Sequence, residues 1–256
     1  MDAAKQNEMV QLGHILLQVG SLLMSAGANT GRIRITITRI ADAFGYRTEM
    51  LISHRTIMLT LLSESDEHFF TNLKRTHPHG VNFKILSGIS RMSWRVVAEK
   101  WSLEQINAEL ARLTALPHYP RWLTLTLVSL AGAAFCRLAN GSPEDMIIVF
   151  AASFLGLLVR QETVRMGFNA YLCVYFAALT AALVAGLPLK LDAPNEHEPA
   201  FATCVLFLIP GVPLINSFSD LIDGNIQIGM VRGINGLIIA FAIALGLSSA
   251  VIIYQI

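Results

Sequence analysis

The sequence predicts an N-terminal cytoplasmic α+β domain followed by an all-α membrane domain of five transmembrane helices, the fourth broken at Pro210–Pro213. Three observations predict it. Of 256 residues, 54% are hydrophobic and only 14% charged, where a soluble domain averages about 25% charged. The charge is also uneven. Met1–Arg121 carries 14 Lys and Arg with 10 Asp and Glu, whereas Trp122–Ile256 carries 5 and 8. Finally, the apolar run Phe201–Asp220 breaks at Pro210-Gly211-Val212-Pro213 and resumes with polar side chains. An interrupted helix at membrane depth leaves backbone groups that hydrocarbon cannot satisfy, so it survives only under cover of protein or water. Secondary transporters build ion and substrate sites from such breaks. The net charge of +1 gives no reason to expect a nucleic-acid partner.

The first domain is assigned to residues 1–118. Gln6–Ala26 has apolar residues at helical spacing, and Gly27 is a natural stop. Thr30 is placed to cap a second helix running to Phe44. Ile33, Ile35 and Ile37 also alternate as a strand would, but Ile33, Ile37, Ile40, Ala41 and Phe44 form one helical face. Thr48–His54, Thr56–Ser63 and Glu67–Lys74 read as short strands, with Phe83–Leu86 a candidate fourth. Ser102 and Gln105 make a capping box before Leu103, Ile106, Leu110 and Leu113. Pro117 and Pro120 end that helix.

The membrane domain is assigned to residues 119–256, with spans at Trp122–Leu138, Met146–Val159, Phe168–Leu189, Ala200–Leu221 and Gly233–Tyr254. The second is shorter than the roughly 20 residues a span needs. Arg121, Arg160, Arg165 and Arg232 lie on the N-terminal side. Arg137 and Lys190 lie opposite, among Glu144, Asp145, Asp192, Glu196 and Glu198. The positive-inside rule then puts the N-terminal domain in the cytoplasm and the C-terminus outside. No signal peptide is visible, and Cys136, Cys173 and Cys204 read as packing residues. Carriers are commonly built from two inverted halves, so five spans imply that a second polypeptide or second copy completes the pathway.

The strongest site candidate is the segment after the break. A half-helix starting at Leu214 would turn its free amides and positive dipole end toward a substrate carboxylate. Pro210, Gly211, Pro213, Leu214, Asn216, Ser217 and Ser219 make up that substrate site, and Asp220 is the candidate for proton or cation coupling. The competing reading is a proline kink with Asp220 at the cytoplasmic interface. Arg137 either pairs with a carboxylate on the pathway or snorkels to the outer interface. Tyr175 lines a pore or anchors a span end, and Asn235 lines a pathway or hydrogen-bonds across helices. Glu162 and Arg165 form an ordinary i,i+3 pair, and Arg160 reads as a topology determinant. Gly229, Gly233 and Gly236 permit close helix contact.

In the first domain, Asn29, Thr30 and Arg32 serve a helix cap or hold an anion. Asn82 lies in a further short motif. His68, His77 and His79 lack the setting of a metal site. Nothing suggests a cofactor or catalysis: there is no Walker motif, dinucleotide fingerprint or GxSxG elbow. Transport energy would then come from gradients.

Four motifs in order resemble the threonine/serine exporter family along essentially the whole chain. They are Ser25-Ala26-Gly27-Ala28-Asn29-Thr30-Gly31-Arg32, then Gly80-Val81-Asn82-Phe83, then Tyr119-Pro120-Arg121-Trp122, then Pro210-Gly211-Val212-Pro213-Leu214-Ile215-Asn216 with Asp220 and Gly224. Within the family the likeness is to the larger subunit of two-component bacterial succinate exporters. The resemblance implies an inner-membrane exporter of a small carboxylate, with a dicarboxylate such as succinate preferred and threonine or serine the alternative. It also implies a separate small membrane subunit, hence a hetero-oligomer, with homo-oligomers of this chain as well. A membrane-anchored enzyme or a sensor is the reading from another class.

Overall fold

The computed structural model describes residues 3–63, 69–76, 80–117, 119–191 and 197–255. It divides into two compact units: Met1–Pro117 with Val212–Ile234, and His118–Gly211 with Asn235–Ile256.

In the first unit, α1 (Ala3–Ser25) buries Met9, Leu12, Leu16, Val19 and Leu23, spaced at three and four residues as a helical face requires. Gly13 lets it press on the sheet, since an added Cβ would sit 2.2 Å from the Phe70 ring. The second helix, α2 (Thr30–Ala43), buries Ile33, Ile37, Ile40 and Ala41. The helical period therefore prevails over the local Ile alternation. Its cap is Asn29 rather than Thr30: the Asn29 side chain accepts from the Arg32 amide, and Thr30 is already the first helical residue.

Strands β1 (Arg47–Ser53), β2 (Thr56–Leu62) and β3 (Phe69–Arg75) form one antiparallel sheet in the order β1-β2-β3. Ser53 pairs with Thr56 across a two-residue turn, and Leu62 pairs with Phe69. Ile52, Ile57, Leu59, Leu61 and Phe70 turn into the core shared with α1 and α2.

Phe83–Leu86 is not a strand. It opens α3 (Phe83–Glu99), a helix the alternation reading overlooked. Asn82 supplies the start signal, accepting from the amides of Lys84 and Ile85. Leu86, Ile89, Met92 and Val96 are its buried face. In α4 (Leu103–Thr114), Ser102 and Gln105 form both halves of the capping box as expected. The three-stranded sheet is thus a minor part of a mostly helical chain.

The second unit holds α5 (Arg121–Leu138), α6 (Pro143–Arg165) and α7 (Ala170–Lys190), followed by α8 (Glu198–Thr203) and a 3-10 turn at Leu206–Leu208. The interrupted segment continues as α9 (Gly211–Ile222), and α10 (Ile226–Tyr254) closes the chain. By length and composition α6, α7 and α10 can each cross a membrane. The pair Glu198–Leu208 and Gly211–Ile222 passes the same test only when taken together as one bent element. That makes three or four candidate spans among the described residues, not the five expected. The 18-residue α5 carries Arg121 and Arg137 near its two ends and falls outside the set.

The expected short second span is longer than its apolar core suggested. Ser142 and Asp145 cap it reciprocally and extend it to 23 residues. Its neighbour α7 presents Ala177, Ala178, Ala181, Ala182 and Ala185, all fully buried, the small-residue surface that lets membrane helices approach closely.

Candidate functional site

The candidate site lies inside the first unit, where the turn between α1 and α2 meets the hairpin of α9 and α10. Gly27 takes φ +90°, a conformation an L side chain resists, and so reverses the chain after α1. Ala28 is buried behind it, and Asn29 is extended at φ −72° and ψ 163° as an N-cap should be.

On α9, Asn216, Ser219 and Asp220 lie three and four residues apart, so they share one face, and Asp223 follows in the turn after the helix. That face grips the turn between α1 and α2. Asn216 Nδ2 donates to the Gly27 carbonyl at 2.8 Å, and Asn29 Nδ2 donates to Ser219 Oγ at 3.0 Å. The Thr30 amide donates to Asp220 Oδ1 at 2.9 Å, giving the N-terminus of α2 a buried carboxylate.

Arg232 completes the arrangement from α10. Its Nη2 donates to the Ala28 carbonyl at 2.9 Å, and its Nη1 lies 2.8 Å from Asp220 Oδ2. Close helix approach makes this reach possible. A Cβ on Gly229 would stand 2.7 Å from the Leu221 side chain, and one on Gly233 would stand 2.8 Å from Ser217 Oγ. Ser217 itself donates to the Gly229 carbonyl at 2.7 Å.

Asp220 is 0% exposed, and the Arg232 side chain is 14% exposed. The 2.8 Å contact between Oδ2 and Nη1 is an ion pair by distance but is not aligned as a hydrogen bond, so both atoms lack a directional partner. Buried Thr30 Oγ1 has none either. Three buried polar atoms without hydrogen bonds at one locus are costly. Beside it, Asn29, Arg32, Arg39, Trp94 and Asp223 line a cavity of about 350 Å³. Arg39 stacks over Trp94 at 3.7 Å and donates to Ser93 Oγ.

The structure therefore brings together Asn29, Thr30, Asn216, Ser219 and Asp220, which the sequence reading assigned to two separate sites. Arg32 is nearby on the cavity wall. Pro210 precedes α9, and Gly211 and Pro213 fall in its first turn, where a missing proline N–H costs nothing. The half-helix begins at Gly211, three residues earlier than Leu214. Asn82 caps α3, and its own amide donates to the Ala26 carbonyl, which ties α3 to the same turn.

The weaker candidates lie elsewhere, each with a local partner. Arg137 donates to the Gly141 carbonyl, Asn235 accepts from the Tyr171 hydroxyl, and Tyr175 shares a hydrogen bond with Ser249. Arg232 was missed. Its signal was present: a lone arginine twelve residues after Asp220, with Gly224 turning the chain between them. Also missed was a buried pair in the second unit, His197 Nδ1 with Asp145 Oδ1 at 2.7 Å. His68, His77 and His79 lie outside the described residues; within those residues no three His, Cys, Asp or Glu side chains group as metal ligands.

Residues 14–254 match the family described as "Putative threonine/serine exporter" (ThrE). The chain belongs to the ThrE family. Among ThrE relatives, it is 26% identical over 249 residues to a Klebsiella aerogenes protein named probable succinate transporter subunit YjjP, covering 96% of this chain and 95% of that one. The Escherichia coli K12 protein of the same name is 29% identical over 243 residues, covering 94% and 93%. A Corynebacterium glutamicum protein named threonine/serine exporter is 22% identical over 243 residues, 88% of this chain and 47% of the relative. These ThrE relatives are named as transporters or exporters, not enzymes. No solved structure matches the chain.

Proposed function

We propose that this chain is the larger subunit of a gradient-driven exporter of a small carboxylate, most simply a dicarboxylate such as succinate, working with a separate small membrane subunit in the bacterial inner membrane. Asp220 carries the reading. A fully buried carboxylate shared between a helix N-terminus and an arginine holds α9 to the turn. Protonating it, or moving Arg232 away, would release the turn at Gly27–Thr30 from α9. That is the kind of two-state element a coupling ion can bias. The first-turn amides of α9 at Val212 and Leu214 supply a positive helix end for the cargo's carboxylate, since Pro213 has no N–H and the Gly211 amide donates to the Ile209 carbonyl. Pro210, Asn216, Ser217 and Ser219 set that helix end in place.

The cargo class and the second subunit are supported by relatives whose names specify a succinate transporter subunit. The threonine/serine exporter relative supports the alternative cargo, an amino acid bearing one carboxylate. Inside-out vesicles containing the chain and the small subunit should take up labelled succinate in a gradient-dependent way, with threonine as competitor. Asn216→Ala and Asp220→Asn should both slow uptake. Unchanged rates for both would remove these residues from the mechanism.

A further inference from the structure

We propose that a second site, a cavity between the start of α5 and the last turns of α6, holds the phosphate of an anionic phospholipid. The cavity measures about 470 Å³, and Arg121, Arg160, Gln161 and Arg165 form its polar wall. Arg121 Nε donates to Gln161 Oε1 at 2.7 Å, and the same guanidinium pairs with Glu162. Arg165 approaches that one carboxylate only to 3.6 Å. Arg160 has no acidic partner among the described residues. Three guanidiniums thus line the cavity against one carboxylate, Glu162, which Arg121 Nη2 already engages. The excess positive charge and the fork geometry of arginine suit phosphate oxygens.

Position distinguishes a lipid from a dissolved anion. Arg160 stands five residues before the end of α6, about 7.5 Å along the helix axis. The charges therefore occupy the terminal turns of an apolar helix, at the depth of headgroups. Leu157 and Val164 line the same cavity. A dissolved dicarboxylate has no use for these apolar walls, whereas the first acyl carbons below a held phosphate would cover them. The inference stands whatever the cargo of the exporter is.

Native mass spectrometry of the full chain in detergent, titrated with phosphatidylglycerol and phosphatidylcholine, tests it. Phosphatidylglycerol should bind more tightly, and the Arg160→Gln/Arg165→Gln double variant should weaken it by about tenfold. Arg95→Gln, on α3 in the first unit, should leave binding unchanged. Glycerol phosphate without acyl chains should fail to displace the lipid. If the double variant does not fold, Arg165→Gln alone, at a side chain 62% exposed, should still lower the preference. Equal affinity for the two lipids, binding insensitive to the arginines, or displacement by glycerol phosphate or succinate as effective as by lipid would overturn the proposal.

Discussion

At the scale of single residues, Asp220 and Arg232 decide whether the polar knot is a strut or a switch. Removing one partner of a buried ion pair leaves an uncompensated charge and costs about 3–5 kcal/mol, while replacing both with apolar groups is often neutral. Asp220→Ala should therefore lower the melting temperature in detergent sharply, and Asp220→Leu with Arg232→Met should restore it. Transport should stay lost in the double variant; a restored rate would show the pair to be structural only. His54 gives a separate test. Partial desolvation of this exposed side chain, then the nearby charges of Arg55 and Arg232, push its pKa below the ordinary 6.5. The unfolded chain thus takes up this proton first as pH falls. The contribution is complete above pH 6.5 and is lost as pH drops through the depressed native value. Melts across that window should show a slope that His54→Gln flattens.

At the scale of elements, helix packing in the second unit depends on small residues. A Cβ on Gly246 of α10 would stand 2.8 Å from the Leu179 backbone nitrogen and 3.0 Å from the Tyr175 carbonyl on α7. Neither can rotate aside, so Gly246→Ala should cost about 1–3 kcal/mol, read as a lower unfolding midpoint. Elements with local signals were legible in the sequence. The capping box at Ser102, the turn at Gly27 and the break at Pro210 all fall where the side chains dictate. Less legible was α3, because Phe83–Leu86 is too short a window to separate a strand from the first turn of a helix. The start of α9 was placed at Leu214 because proline reads as an interruption, yet in a first turn it fits. Arg121 and Arg137 were read as flanks of an apolar run, but both fall within the 18-residue α5, which is not among the plain spans.

At the scale of the whole molecule, the family was legible because its motifs occur in order along the chain, and two of them prove to be halves of one knot. The residues of Gly27–Arg32 and Asn216–Asp220 were each read separately, since a contact across about 190 positions leaves no local trace in one sequence. The proposed movement of a small carboxylate by this chain is tested most directly by uptake of labelled succinate into inside-out vesicles, with and without the chain and the proposed small partner subunit. Uptake should require both chains and disappear when the ion gradient is collapsed; equal uptake by vesicles lacking this chain would rule the proposed transport out.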